Sequence, residues 1–252
     1  MARNYIPRTE SERAFKKTFD ALCYRHNPWT VWRDFVNMSA CAIANRFEYN
    51  TPAWTRREES YLASAKAYSA EELALFSQLF ATTVEALDKN PAQDFLGNLY
   101  MNLDFGSGWS GQFFTPWSVA EMMARMTISE KLKAEIDSKG YVSICDPAGG
   151  AGCTLIAAAH VLLNEHKINY QQSALFVAQD IDPVVAQMCY IQLSLLGCPG
   201  YVVVGDSLAK PTVGKPLFPV VHEGNEIWFT PMWYSETWTI RIIAERCREL
   251  FG

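Results

Sequence analysis

The chain has 252 residues, 49% of them hydrophobic and 19% charged, an ordinary globular balance that fits one large domain or one domain with a helical appendage. No apolar run approaches the roughly 18 residues that span a bilayer, and Met1–Arg8 is polar with no signal-peptide core, so the expectation is a soluble cytoplasmic protein without a membrane partner. The net charge of −5 is uneven: residues 1–66 hold 11 Lys and Arg against 7 Asp and Glu, the remainder 11 against 20, so only the N-terminal quarter could offer nucleic acid a basic face.

Residues 1–110 read as a helical N-terminal region. Phe15, Phe19 and Leu22 recur at helical spacing within Ser11–His26. Pro28 suits a first helical position, and Trp32, Phe35, Val36 and Met38 continue the pattern in Trp29–Phe47. Ser69-Ala-Glu-Glu72 is a capping-box signature for a helix running to about Asp88, and Phe95–Leu103 is a further short periodic segment.

Residues 111–252 alternate strand and helix. Tyr141–Asp146 is a strand ending in an acid, followed by a glycine turn and helix in Gly149–Asn164. Ala174–Asp180 is a second strand with a terminal acid, Pro183–Leu196 a helix closed by Gly197, and Tyr201–Val204 a third strand before Gly205-Asp206. Lys210–Gly224, rich in Pro and Gly, reads as a loop. Glu226–Phe229 is a candidate fourth strand and Tyr234–Leu250 a last helix. Such alternation predicts an α/β fold with a parallel sheet, whose ligands sit at the carboxyl ends of the strands.

The seven cysteines are odd in number and contain no Cys-x-x-Cys pair, so neither a disulfide framework nor a metal site is expected. The chemistry lies in Asp146-Pro-Ala-Gly-Gly-Ala-Gly152. Gly149 and Gly152 let the backbone come close to a ligand, with Ala148 between them and Asp146, and the helix that follows offers free N–H groups. A tight strand-to-helix turn alone would also select glycine. Asp180 can accept the hydroxyls of a ribose, Ile181 can pack on an adenine face, and Asp206, next to Ser207, can receive an adenine amino group. A pyrophosphate would be repelled by a carboxylate at the start of its loop, whereas Asp146 suits the cationic amino-acid end of S-adenosylmethionine.

Four motifs in order over residues 105–210 carry a resemblance. Gly111-Gln-Phe-Phe-Thr-Pro116, Asp146-Pro-Ala-Gly-Gly-Ala-Gly152, Gln179-Asp-Ile-Asp-Pro183 and Gly205-Asp-Ser-Leu208 are similar to those of the N-6 adenine-specific DNA methyltransferases, and within them to the modification subunits of type I restriction systems. The resemblance implies a Rossmann-like methyltransferase core, S-adenosylmethionine as cofactor and DNA as substrate. It also implies contacts from Phe114, Thr115 and Pro116 to the methionine end of the cofactor. Thr115 and Pro116 equally suit a helix cap and first helical position.

Two departures stand out. The family's catalytic tetrad, Asn/Asp-Pro-Pro-Tyr/Phe after the fourth strand, draws the target amine towards the methyl group and stacks on a flipped base. Its positional counterpart here is Thr230-Pro-Met-Trp233, in which Thr230 supplies a shorter acceptor, Met232 replaces a proline, and Pro231 and Trp233 keep their types. This counterpart is either a catalytic tetrad or an apolar turn before a helix. The family's later strands and target-recognition region have no counterpart either, so the parallel sheet is expected to be truncated, its edge covered by the N-terminal helices, a second copy or a specificity subunit. Three functions follow: adenine methylation in DNA, a catalytically inactive cofactor-binding module acting through a partner or nucleic acid, or methylation of another amine in protein or RNA.

Overall fold

A computed structural model describes residues 5–105 and 114–251. Two compact units divide it, Met1–Phe114 and Thr115–Gly252.

The first unit is helical: α1 (Glu10–Cys23), α2 (Pro28–Asn45), α3 (Pro52–Ala65), α4 (Ala70–Lys89) and α5 (Phe95–Asn102). Side-chain caps start these helices. Thr9 with Glu12 and Ser69 with Glu72 form complete capping boxes, and Asn27, Thr51 and Asp94 accept from first-turn N–H groups. The core joins Phe15 and Phe19 of α1 to Trp32 and Phe35 of α2, Leu79 of α4 and Phe95 of α5, all essentially solvent-free. Each such side chain contributes about 1.5–3 kcal/mol by leaving water. Helix α3 has no counterpart in the apolar periodicity, because its only buried side chain is Arg57, paired with Glu48. Its signal was the Thr51-Pro52 start.

The second unit opens with α6 (Trp117–Thr127) and α7 (Glu130–Lys139). It continues through β1 (Val142–Asp146), α8 (Cys153–Asn164), the single turn α9 (Tyr170–Ser173), β2 (Ala174–Asp180), α10 (Pro183–Leu195) and β3 (Gly200–Val204). Then come β4 (Val213–Lys215), β5 (Phe218–Val220), β6 (Glu226–Phe229), a 3₁₀ turn (Pro231–Tyr234) and α11 (Glu236–Phe251). The main sheet has the order β1-β2-β3-β6. Strands β1, β2 and β3 are parallel, joined by crossovers that contain α8 and α10, with Asp146 level with Ala178 and Asp180 level with Val204. This is the expected α/β, Rossmann-like architecture.

Two expectations for the segment after β3 are corrected. Lys210–Gly224 is not only loop: β4 and β5 form an antiparallel hairpin within it. And β6 runs antiparallel to β3, pairing Val204 with Glu226 and Tyr201 with Phe229. The reason is topological. A parallel return is usually made by a crossover helix, whereas the connection between β3 and β6 contains a hairpin and no helix, and re-enters at the end of the sheet it left. The hairpin and α11 cover one face of the sheet, burying Leu175, Val177, Tyr201, Val203, Leu217, Trp233 and Trp238 in a single cluster. Among the described residues no helix is long and apolar enough to cross a membrane.

Candidate functional site

Parallel strands place their carboxyl ends on one edge, and there the glycine loop between β1 and α8 meets the ends of β2 and β3. Gly152 adopts φ +98° as the N-cap of α8, and no side-chain hydrogen bond caps the helix there. A Cβ on Gly152 would lie 3.0 Å from the Cys189 sulfur, and one on Gly149 would lie 3.1 Å from the Ala178 Cβ; the loop is thus packed tightly against β2 and α10. Gly149 donates its N–H to the Gln179 carbonyl at 3.0 Å.

Three carboxylates stand along this edge, each held by backbone. Asp146 accepts from the Ala148 N–H at 3.0 Å and from the Thr154 hydroxyl of α8. Asp180 accepts from the Gly150 N–H at 2.9 Å and the Asp182 N–H at 3.0 Å, which ties the end of β2 to the glycine loop. Burial pushes the Asp180 carboxyl above the ordinary aspartate range, and those two N–H groups pull partly against it. Asp206 accepts from Ala209 and Leu208 at 3.0 and 2.9 Å, and these bonds hold its carboxyl below the ordinary range. Each carboxylate keeps lone pairs beyond these bonds, because an ionised carboxyl offers about four acceptor positions. Ile181 projects beside them with 67% of its surface exposed, an apolar plate next to two acids.

The structure therefore brings Asp146, Ala148, Gly149, Gly152, Asp180, Ile181, Asp206 and Ser207 to one rim. Thr115 and Pro116 precede α6, which runs in the same direction as α8: the Trp117 ring lies 6.1 Å from His160, and Arg125 pairs with Glu165 at 2.7 Å. The expected cap is corrected, since Pro116 rather than Thr115 is the N-cap of α6 and no side chain caps it. Phe114 belongs to the helical unit, stacked on Tyr100 with ring centroids 5.4 Å apart. Gly111, Gln112 and Phe113 of the same motif lie outside the described residues.

The expected tetrad is not at this rim. Because β6 runs antiparallel, Thr230 ends beside Gly200, at the amino end of β3 and thus at the opposite edge of the sheet. Thr230 is fully buried, donating its hydroxyl to the Cys198 carbonyl at 2.7 Å and accepting from the Gly200 N–H at 3.0 Å. Pro231 starts the 3₁₀ turn, and Trp233 packs on Tyr201 and Phe229 within the core. These contacts hold the fold, and they place Thr230, Pro231 and Trp233 away from the rim that carries the three acids.

Sequence reasoning missed two residues at the rim. Thr154 pins Asp146, and Gln179 ties the segment after β3 to β2. The signal for Gln179 was present, as the lone amide between the apolar run Ala174–Ala178 and Asp180.

The family model of the N-6 DNA methylases matches residues 92–246. The chain belongs to this family. Its members are S-adenosylmethionine-dependent enzymes that act on DNA. In structure, the chain is similar to a Listeria monocytogenes protein assigned to the class I S-adenosylmethionine-dependent methyltransferases, at 16% identity and a TM-score of 0.40, over 91% of this chain and 70% of that one. No curated protein matches the sequence.

Proposed function

We propose that the carboxyl edge of β1–β3 binds S-adenosylmethionine and that the chain serves adenine methylation in DNA. One observation carries this reading: three strand-end acids and an uncapped helix N-terminus converge on one edge, with Gly150 bonded directly to Asp180. The donor set fits the cofactor part by part. Asp146 and the first turn of α8 face the zwitterionic methionine end, which carries both charges. Asp180 accepts from ribose hydroxyls, Ile181 covers one face of the adenine, and Asp206 accepts from its exocyclic amine, with Ser207 alongside. Thr115 and Pro116 close the methionine side.

When bound, the cofactor supplies a methyl group on a positively charged sulfur. What the chain's own residues contribute is position: the acids and glycine N–H groups fix where that group points, and no metal is required. The departure of Thr230–Trp233 to the far edge supports a second reading, in which the chain by itself holds cofactor and the residues that present the amine come from a partner such as a specificity subunit or a second copy.

Calorimetry with S-adenosylmethionine tests the shared claim; absence of heat at high micromolar cofactor would sink both readings. Tritiated methyl transfer to unmethylated duplex separates them. Incorporation by the chain alone, abolished in Asp180→Ala and kept in Thr230→Ser, supports the first. Binding without incorporation on any duplex supports the second.

A further inference from the structure

Gln179 sits one residue before Asp180, and its side chain is buried with 4% exposure. Every hydrogen-bonding position of its amide is used. Nε2 donates to the Gly205 carbonyl at 3.3 Å and to the Lys210 carbonyl at 3.0 Å. Oε1 accepts from the Thr212 N–H and the Thr212 hydroxyl, both at 3.0 Å. An amide side chain has two donor hydrogens and two acceptor lone pairs, so this set is complete. Its main-chain carbonyl meanwhile accepts from Gly149. One residue thus holds the glycine loop with its backbone and gathers the 205–212 segment around its side chain.

That segment carries Asp206 and Ser207. Asp206 uses one carboxylate oxygen to cap its own turn at Leu208 and Ala209, so the turn moves as a unit. The Gln179 amide binds that unit at both ends, at Gly205 before Asp206 and at Lys210 and Thr212 after it. Three other bonds also tie the segment, from Gly205 N–H to the Asp180 carbonyl, from the Asn225 amide to the Lys210 carbonyl and from Lys210 Nζ to the Glu223 carbonyl. The first anchors only its start, and the other two join it to the chain beyond the hairpin rather than to the sheet.

We infer that Gln179 is a positioning residue that sets selectivity for the adenine end of the cofactor, by holding Asp206 where it accepts the exocyclic amine. The inference rests on the cofactor reading above. It differs from a merely structural role in what it predicts: a loosened Asp206 turn costs the adenine contact specifically, whereas general loosening weakens every ligand alike.

The probes are S-adenosylhomocysteine and its 6-oxo counterpart S-inosylhomocysteine, titrated by calorimetry into the full chain. The wild-type protein should prefer the adenosyl ligand by about tenfold or more, the value of one hydrogen bond to a charged acceptor. In Gln179→Leu, which keeps the side chain's bulk and removes all four bonds, the ratio should collapse towards parity while affinity for the inosyl ligand changes less. Asp206→Asn should narrow the same ratio, and the double variant should narrow it no further than the stronger single one. Circular dichroism and melting check folding. Should Gln179→Leu fail to fold, Thr212→Val removes one bond to Oε1 and should narrow the ratio by a smaller factor. A wild-type protein that binds both ligands equally overturns the inference and leaves cofactor binding standing, as does a wild-type ratio that persists in Gln179→Leu or, where that variant does not fold, in Thr212→Val. A wild-type protein that binds neither ligand overturns both.

Discussion

Asp180 and Asp206 are the same side chain at neighbouring strand ends, and their surroundings push them in opposite directions. Burial raises Asp180, while two N–H groups lower Asp206. A ribose hydroxyl donates to a carboxylate, so affinity depends on the ionised form. As pH falls, Asp180 takes up its proton first, above the value of about 3.9 typical of a free aspartate, and Asp206 stays charged below it. Cofactor affinity measured by calorimetry is therefore expected to decline on acidification at a pH where an ordinary aspartate is still ionised. Asp180→Asn should bind more weakly at neutral pH and lose that limb of the profile; an unchanged limb in the variant would assign it elsewhere. Gly152 makes a second case at this scale. At φ +98°, with the Cys189 sulfur 3.0 Å from any added Cβ, Gly152→Ala should cost about 1–3 kcal/mol of stability, read from denaturant midpoints at constant slope.

Among the elements, β6 decides what the C-terminal third does. Its antiparallel direction carries Thr230 away from the rim and makes it a cross-link between β6 and the start of β3. Thr230→Val conserves shape but leaves the Gly200 N–H and the Cys198 carbonyl without this partner in the interior. It should lower stability by about 1–3 kcal/mol, with cofactor affinity of the folded protein unchanged; a selective loss of affinity would return Thr230 to the site. The same strand shows why sequence legibility stops where it does. Strand β2 and helix α10 were readable almost to the residue, because an unbroken apolar run ending in Asp180 and an Asp182-Pro183 start are local signals. The rim acids followed from them, since parallel strands must end together. The direction of β6 is not local: Glu226–Phe229 has the same pattern whichever way it pairs, and only the lack of a crossover helix settles it. The β4–β5 hairpin was hidden in a different way. Its strands are three residues long and mostly exposed, so they bury too little to imprint a period. Gln179 was visible as a type but not as a role, because its three partner residues lie in a segment with no periodic signal.

For the whole molecule, the question is how a chain of net charge −5 meets a polyanion. Residues 115–252 hold 10 Lys and Arg against 14 Asp and Glu. Several of those cations are already engaged: Arg125 with Glu121 and Glu165, Lys139 with Glu135, and Lys215 with Glu245 and Glu249. The excess of positive charge lies in residues 1–66, where Arg13 and Lys17 are exposed one turn apart on α1. Each phosphate neutralised by Lys or Arg steepens the dependence of log affinity on log salt by about 0.9. A chain of net charge −5, with its cations outnumbered by acids in residues 115–252, should bind a generic duplex weakly, with a slope no steeper than about −4 between about 50 and 200 mM salt, measured by fluorescence anisotropy. Replacing both Arg13 and Lys17 by Glu should flatten that slope further without touching cofactor affinity, because the acids of the rim belong to the other unit. A steep slope that survives this reversal would place the DNA contact on the second unit. A shallow one leaves most of the phosphate grip to be supplied by another chain, which is the division of labour expected if a partner presents the base.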